Sequence, residues 1–147
     1  MYHELGHRFD SPTINLFMMS QDYLHFIENL SAYLSAPSLV EDPHAGKSYP
    51  VGVLSGDGLK PLRSYFVHYD DFALAKEKWN ERKQRIHPDN MYYVYTDMDG
   101  ATEEDLQRFD HLPFKNKVIL TGVPHPELKC AYQIKNCEEN GHLGSWY

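Results

Sequence analysis

Cysteine is scarce: the 147-residue chain carries two, Cys130 and Cys137. A disulfide framework is therefore excluded as the source of stability. Six residues separate the pair, so they form no CxxC redox or zinc element and read as structural thiols. Long apolar runs are missing as well. The most apolar stretch, Ile14 to Met19, covers six residues and includes Asn15, far below the roughly 20 residues that cross a bilayer. The opening MYHELGHRFDS has neither the basic start nor the apolar stretch of a signal peptide. Positive charge is short, with 14 Lys and Arg against 21 Asp and Glu and a formal net charge of −7. That argues against a nucleic-acid protein working through a broad basic face. Repeats, low-complexity tracts and internal linkers are also absent.

What is present is the composition of a folded protein. Hydrophobic residues make up 41% and charged residues 24%, which rules out wholesale disorder. Aromatics reach 14%, chiefly through 11 Tyr, side chains that often end half-buried with a polar tip. The expectation is one cytoplasmic domain over residues 1–134, with a polar, frayed tail over 135–147.

Ser11-Pro12-Thr13 breaks the chain, and Ile14 to Met18 reads as a short buried strand. Ser20 is placed to cap a helix near 20–35 whose apolar positions Tyr23, Phe26, Ile27, Leu30 and Leu34 keep the helical period. Pro37 to Lys47 reads as loop. Tyr49 to Leu54 and Leu62 to Tyr69 are extended runs around SGDGLKP, which predicts a hairpin. Asp70 or Asp71 caps a helix near 71–86 with Phe72, Ala75, Trp79 and Ile86 on one face. MYYVYT is a strand, Thr102 with Asp105 opens a helix near 102–112, and Lys117 to Thr121 is a strand. Leu128 to Ile134 is expected as the last strand. This order predicts an α/β, three-layer, Rossmann-like fold with one mixed, mostly parallel sheet, the central hairpin supplying its antiparallel part. Ligands of such sheets gather beyond the carboxyl ends of the strands.

Three patterns carry chemistry. His3-Glu4-Leu5-Gly6-His7 spells the HExxH string of zinc hydrolases. A working site needs a long helix and a third ligand, whereas Gly6 and Ser11-Pro12 interrupt any helix here. The expectation is that His3 and His7 bind no zinc.

The second is Thr96-Asp97-Met98-Asp99-Gly100-Ala101-Thr102. If the strand continues, Asp97 and Asp99 fall on the same side and both face one divalent cation, Mn or Mg. Nucleotide-sugar glycosyltransferases use such a strand-terminal DxD, and haloacid-dehalogenase-like phosphatases begin with DxDG-T. The phosphatase reading lacks a later Lys and acidic pair in the 45 residues after Thr102. The plain alternative is a polar turn that caps the following helix, with Asp99 and Thr102 satisfying free N–H groups.

The third is the basic run KEKWNERKQR, with Lys76, Lys78, Arg82, Lys83 and Arg85 offset by Glu77 and Glu81. Such a run is ordinarily a solvated helix face. Within it, Arg82 is the candidate for a phosphate contact.

The ordered series SPTINLFMMSQDYLHFIENLSAYL, YPVGVL, FVHYDDFALAKEKWNERKQRI, DNMYYVYTDMDGATEEDLQRFDHLPFKNKVILTG and PHPELK resembles an uncharacterised bacterial family of unknown function met in exopolysaccharide and capsule biosynthesis loci. The resemblance runs from about Tyr2 to Leu128. It implies an α/β domain with a place in cell-surface polysaccharide assembly, and no established reaction. Members usually begin with a further strand before the position of Tyr2, so this chain is expected to start inside the family pattern. Positions matching the pattern include Ser11, Pro12, Thr13, His68, Tyr69, Trp79, Arg82, Asp97 to Gly100, Thr121, Pro124 and Pro126.

The expected function is a metal-assisted glycosyl or related transferase using a nucleotide-sugar or other sugar-phosphate. Ser11, Thr13, His68, Tyr69, Arg82 and Thr121 are the candidate substrate contacts, and Asp97 and Asp99 the metal ligands. The alternative is a non-catalytic module docking on other polysaccharide-assembly proteins, for which no nucleophile or complete acid–base constellation is required.

Overall fold

The computed structural model describes residues 10–35 and 38–144. The HELGH segment lies outside them. In chain order the elements are α1 (Ser20–Glu28), α2 (Leu30–Ser35), β1 (Ser38–Glu41), β2 (Val51–Ser55), β3 (Leu62–Tyr65), α3 (Phe72–Lys83), β4 (Tyr93–Thr96), α4 (Glu103–His111), β5 (Lys117–Thr121), β6 (Ala131–Gln133), β7 (Glu138–Glu139) and β8 (His142–Leu143). The fold is mixed α/β, as expected. Among the described residues, however, the strands form three sheets rather than one: β1-β2-β3, β4-β5-β6 and β7-β8. Connection length explains the difference in hand. The short link between β2 and β3 permits only an antiparallel pair, while α4 between β4 and β5 carries the chain back for a parallel one. By contact the chain divides into two compact units, one holding the residues up to Met18 and Asn29–Asp89, the other Met19–Glu28 and the residues from Asn90 on.

The first unit is an antiparallel meander with α3. Leu39 pairs with Leu54, and Leu54 with Leu62. These side chains are buried with Tyr33, Val51, Phe66, Ala75 and Trp79, each large one contributing roughly 1.5–3 kcal/mol through burial. Gly52 is required here, since a Cβ would lie 2.8 Å from Leu39 Cδ1 and 2.9 Å from Phe72 Cε2. The cap of α3 is Asp71, whose carboxylate accepts the Leu74 N–H at 2.8 Å. Two expectations fail. Ser38–Glu41, expected as loop, is an edge strand held by pairing with β2. Ile14 to Met18, expected as a central strand, reduces to a single bridge of Phe17 with Tyr65, their rings stacked at 4.6 Å. Pro12 offers no N–H to a ladder, and Asn15 takes a left-handed φ of 65° that no strand continues through.

The second unit stacks α1 and α4 on a parallel sheet whose strands follow chain order. Leu24, Phe26, Ile27, Leu106 and Phe109 are buried together with Tyr95 and Ile119 of the sheet's inner face. Tyr95 stacks on Phe109 at 4.9 Å, and Arg108 grips Glu28 with Nε and Nη2 at 2.8 and 2.5 Å. The expected helix over 20–35 is two helices. Asn29 interrupts it, and its carbonyl accepts the Tyr33 N–H at 3.1 Å to open α2. Ser20 starts α1 but turns its hydroxyl onto Tyr95 OH instead of capping. Within the tail expected to fray, β7 and β8 pair as a hairpin. Asn140 and Gly141, with φ of 53° and 85°, close a primed turn between β7 and β8, and Leu143 is fully buried. Among the described residues no helix is long and apolar enough to cross a membrane.

Candidate functional site

Four of the expected contact residues meet in the first unit. Ser11 and Thr13 hydroxyls are 2.8 Å apart within the turn that follows Ser11. The carbonyl of Ile14, in the same turn, accepts Arg82 Nη1 at 3.2 Å, and the same nitrogen donates to Tyr69 OH at 2.8 Å. Helical period explains why Arg82 points inward: it lies three and seven residues after Trp79 and Ala75, the buried positions of α3. Only 8% exposed, Arg82 spends these bonds on tying the 11–15 turn to α3. The rest of the basic run is a solvated face, with Lys78 and Arg85 both paired to Glu81. His68 is exposed at a turn after β3. The same unit has an open depression of about 660 Å³ lined by Asp42, Lys47, Tyr49, Asp71 and Lys76, and no expected site residue borders it.

Asp97, Asp99 and Thr121 belong to the second unit. The chain leaves β4 at Thr96, so the extended geometry that would align two carboxylates ends before Asp99. Asp97 is 8% exposed. Its Oδ2 accepts the Gly122 N–H at 2.9 Å and its Oδ1 the Leu143 N–H at 2.8 Å. One carboxylate thus joins the ends of β4 and β5 to the β7–β8 hairpin. Gly122 is obligatory at this crossing, because a Cβ would sit 2.3 Å from the His142 backbone. Thr121 is fully buried and donates to Val123 O at 2.8 Å, shaping the loop after β5.

Asp99 stands at the turn itself. Its φ is 54° and that of Gly100 is 80°, and its carbonyl receives the Ser20 N–H at 3.0 Å. Partial burial raises its carboxyl above the usual carboxylate range. The turn leads into α4, where Thr102 and Asp105 form a reciprocal capping box. The capping alternative is therefore realised, with Asp105 rather than Asp99 as the carboxylate.

Sequence reasoning missed a second cluster at the carboxyl ends of β4 and β5. Glu103 opens α4, and His125 and Glu127 lie in the loop between β5 and β6. His125 Nδ1 is 2.9 Å from Glu127 Oε1 and 3.7 Å from Glu103 Oε2. Glu127's carboxyl lies below the usual range through its own backbone N–H and the His125 side chain. The sequence marks His125, between Pro124 and Pro126, as able to reach a cleft but names no partner for it, and Glu103 is 22 residues away by numbering. Burial, with Asp110 beside it, pushes the Cys130 thiol up to about 11.

Comparison with known proteins adds relatives without an assigned activity. An uncharacterized protein of Haemophilus influenzae (strain ATCC 51907 / DSM 11121 / KW20 / Rd) is 43% identical over 142 residues. That match takes in 97% of this chain and 66% of the relative, so the chain spans just under two-thirds of its length. A family model described as a domain of unknown function matches residues 1–147, and the chain belongs to that family, DUF1919.

Proposed function

We propose that this chain is a cation-assisted transferase of cell-surface polysaccharide assembly, acting on a nucleotide-sugar or another phosphorylated sugar. The observation that carries this reading is the charge at the end of β4. Parallel strands deliver their ligands to the carboxyl ends, and a helix N-terminus there ordinarily attracts phosphate directly. The first turn of α4 instead holds Glu103, Glu104 and Asp105, with Asp99 at the preceding turn. A bare phosphate is repelled by that rim. A divalent cation such as Mn or Mg reverses the sign, bridging carboxylate and diphosphate and offsetting charge on the leaving group. The place in polysaccharide assembly is supported by the sequence resemblance alone. Calorimetry of the chain with UDP- and GDP-sugars tests the reading. Binding that requires Mn²⁺ is expected; absence of binding to every nucleotide-sugar, with and without the cation, overturns it.

One observation favours the alternative of a docking module. The outer face of β4-β5-β6 leaves Val94 47% and Tyr132 65% exposed, on a parallel sheet of a kind usually covered on both faces. On that reading Val94→Lys with Tyr132→Lys abolishes association with polysaccharide-assembly proteins and leaves nucleotide binding untouched.

A further inference from the structure

We propose that Glu103, His125 and Glu127 form a first-row divalent metal site, zinc being its tightest ligand among zinc, manganese and magnesium. The site deepens the function proposed above by naming the residues that hold the cation, although its geometry stands without that reading. One ligand atom from each residue lies within 4.8 Å of the others. Zinc bonds N and O donors at about 2.0–2.2 Å in tetrahedral sites, which sets donor atoms about 3.4 Å apart. The observed separations of 2.9 and 3.7 Å from His125 Nδ1 bracket that value.

The donor chemistry narrows the ion. Two carboxylates supply two negative charges for a divalent cation. The imidazole favours zinc and its neighbours over magnesium or calcium, and no thiolate is present to select a softer metal. Three protein ligands leave at least one coordination position open, the arrangement of catalytic rather than structural zinc. That position is the one a substrate phosphate or water would take.

The histidine is also firmly placed. Its side chain is 14% exposed, against 54% and 49% for Glu103 and Glu127. Pro124 and Pro126 restrict the backbone on either side, and the His125 carbonyl accepts the Leu128 N–H at 3.2 Å. Leu128 is buried, and Thr121 and Asp97 pin the loop's first residues as described above. A rim ion pair of His with Glu is worth little in solvent and requires none of this anchoring. The sequence alone leads to the expectation of no zinc, because HELGH at residues 3–7 lacks a long helix and a third ligand; the ion is assigned to different residues.

Titration of the chelator-treated chain with zinc chloride alone, in a non-coordinating buffer, tests the site. One equivalent per chain is expected by calorimetry and elemental analysis. His125→Ala should abolish it, and Glu103→Gln and Glu127→Gln should each weaken it at least 10-fold, with unchanged circular dichroism. His111→Ala, His3→Ala and His7→Ala should retain it. No binding, or binding insensitive to the three ligand variants, overturns the proposal. So does zinc lost on substituting His3 and His7. Stoichiometric zinc that depends on the three residues, in a chain that binds no nucleotide-sugar, leaves the site standing and removes the transferase reading. Mn-dependent nucleotide-sugar binding that survives His125→Ala keeps the transferase reading and overturns the claim that these three residues hold its cation.

Discussion

Arg82 in the first unit and Asp97 in the second invite comparison, because both are charged, both are 8% exposed, and both were marked by sequence as ligand contacts. Each is committed to the fold. Arg82 binds a carbonyl of the 11–15 turn and the Tyr69 hydroxyl, while Asp97 accepts two backbone N–H groups from segments 25 and 46 residues away. The pair differs in what it ties. Arg82 joins a turn to a helix face, whereas Asp97 holds the meeting point of β4, β5 and the β7–β8 hairpin. Buried charge at these two positions organises backbone, and the groups proposed above to hold a metal are the converging ones around His125.

That contrast predicts unequal costs. Asp97→Ala leaves two buried N–H groups without an acceptor, at about 1–3 kcal/mol each, for a total of about 2–6 kcal/mol in urea unfolding. Limited proteolysis should then cut first between residues 138 and 144. Asp97→Asn keeps one acceptor oxygen and should lose roughly half as much. A stability for Asp97→Asn equal to the parent's would remove the carboxylate as the tie. Arg82→Met should cost less, about 2 kcal/mol, because the apolar stem is replaced and Tyr69 OH stays within reach of water. Urea midpoints that reverse this order would break the comparison.

The elements visible in the sequence were those with local signals. Asp71 before α3, the Thr102–Asp105 box before α4, and the apolar run of β5 all fall where expected. The missed features depend on distant partners. Ser38–Glu41 is a strand only because β2 pairs with it, burying Leu39 alone. The Asn140-Gly141 turn was a readable hairpin signal, obscured by the polar residues around it. At the site, pairing Asp97 with Asp99 assumed an extended chain through residue 99, and a left-handed φ at Asp99 breaks that assumption. The Glu103–His125–Glu127 cluster has no fixed spacing to read, since it forms where the first turn of α4 meets the loop after β5.

The smallest effect sharpens the comparison from the other side, at a carboxylate that ties nothing with its charge. Desolvation raises the Asp99 carboxyl above its unfolded value of about 3.9. The folded chain therefore holds this proton more tightly than the unfolded chain does. As pH rises from below that value through the folded pKa, the unfolded state ionises first and stability falls; at neutral pH the charge is a net cost. Asn tolerates the left-handed backbone that Asp99 occupies, φ 54°. Asp99→Asn should therefore raise the melting temperature at pH 7 by roughly one or two degrees, the gain kept small by solvent screening. At pH 3, where both carboxyl states are mostly protonated, the two melting curves should nearly coincide. A gain of the same size at pH 3, or a loss at pH 7, would show that Asp99 acts through packing or a hydrogen bond rather than through its charge.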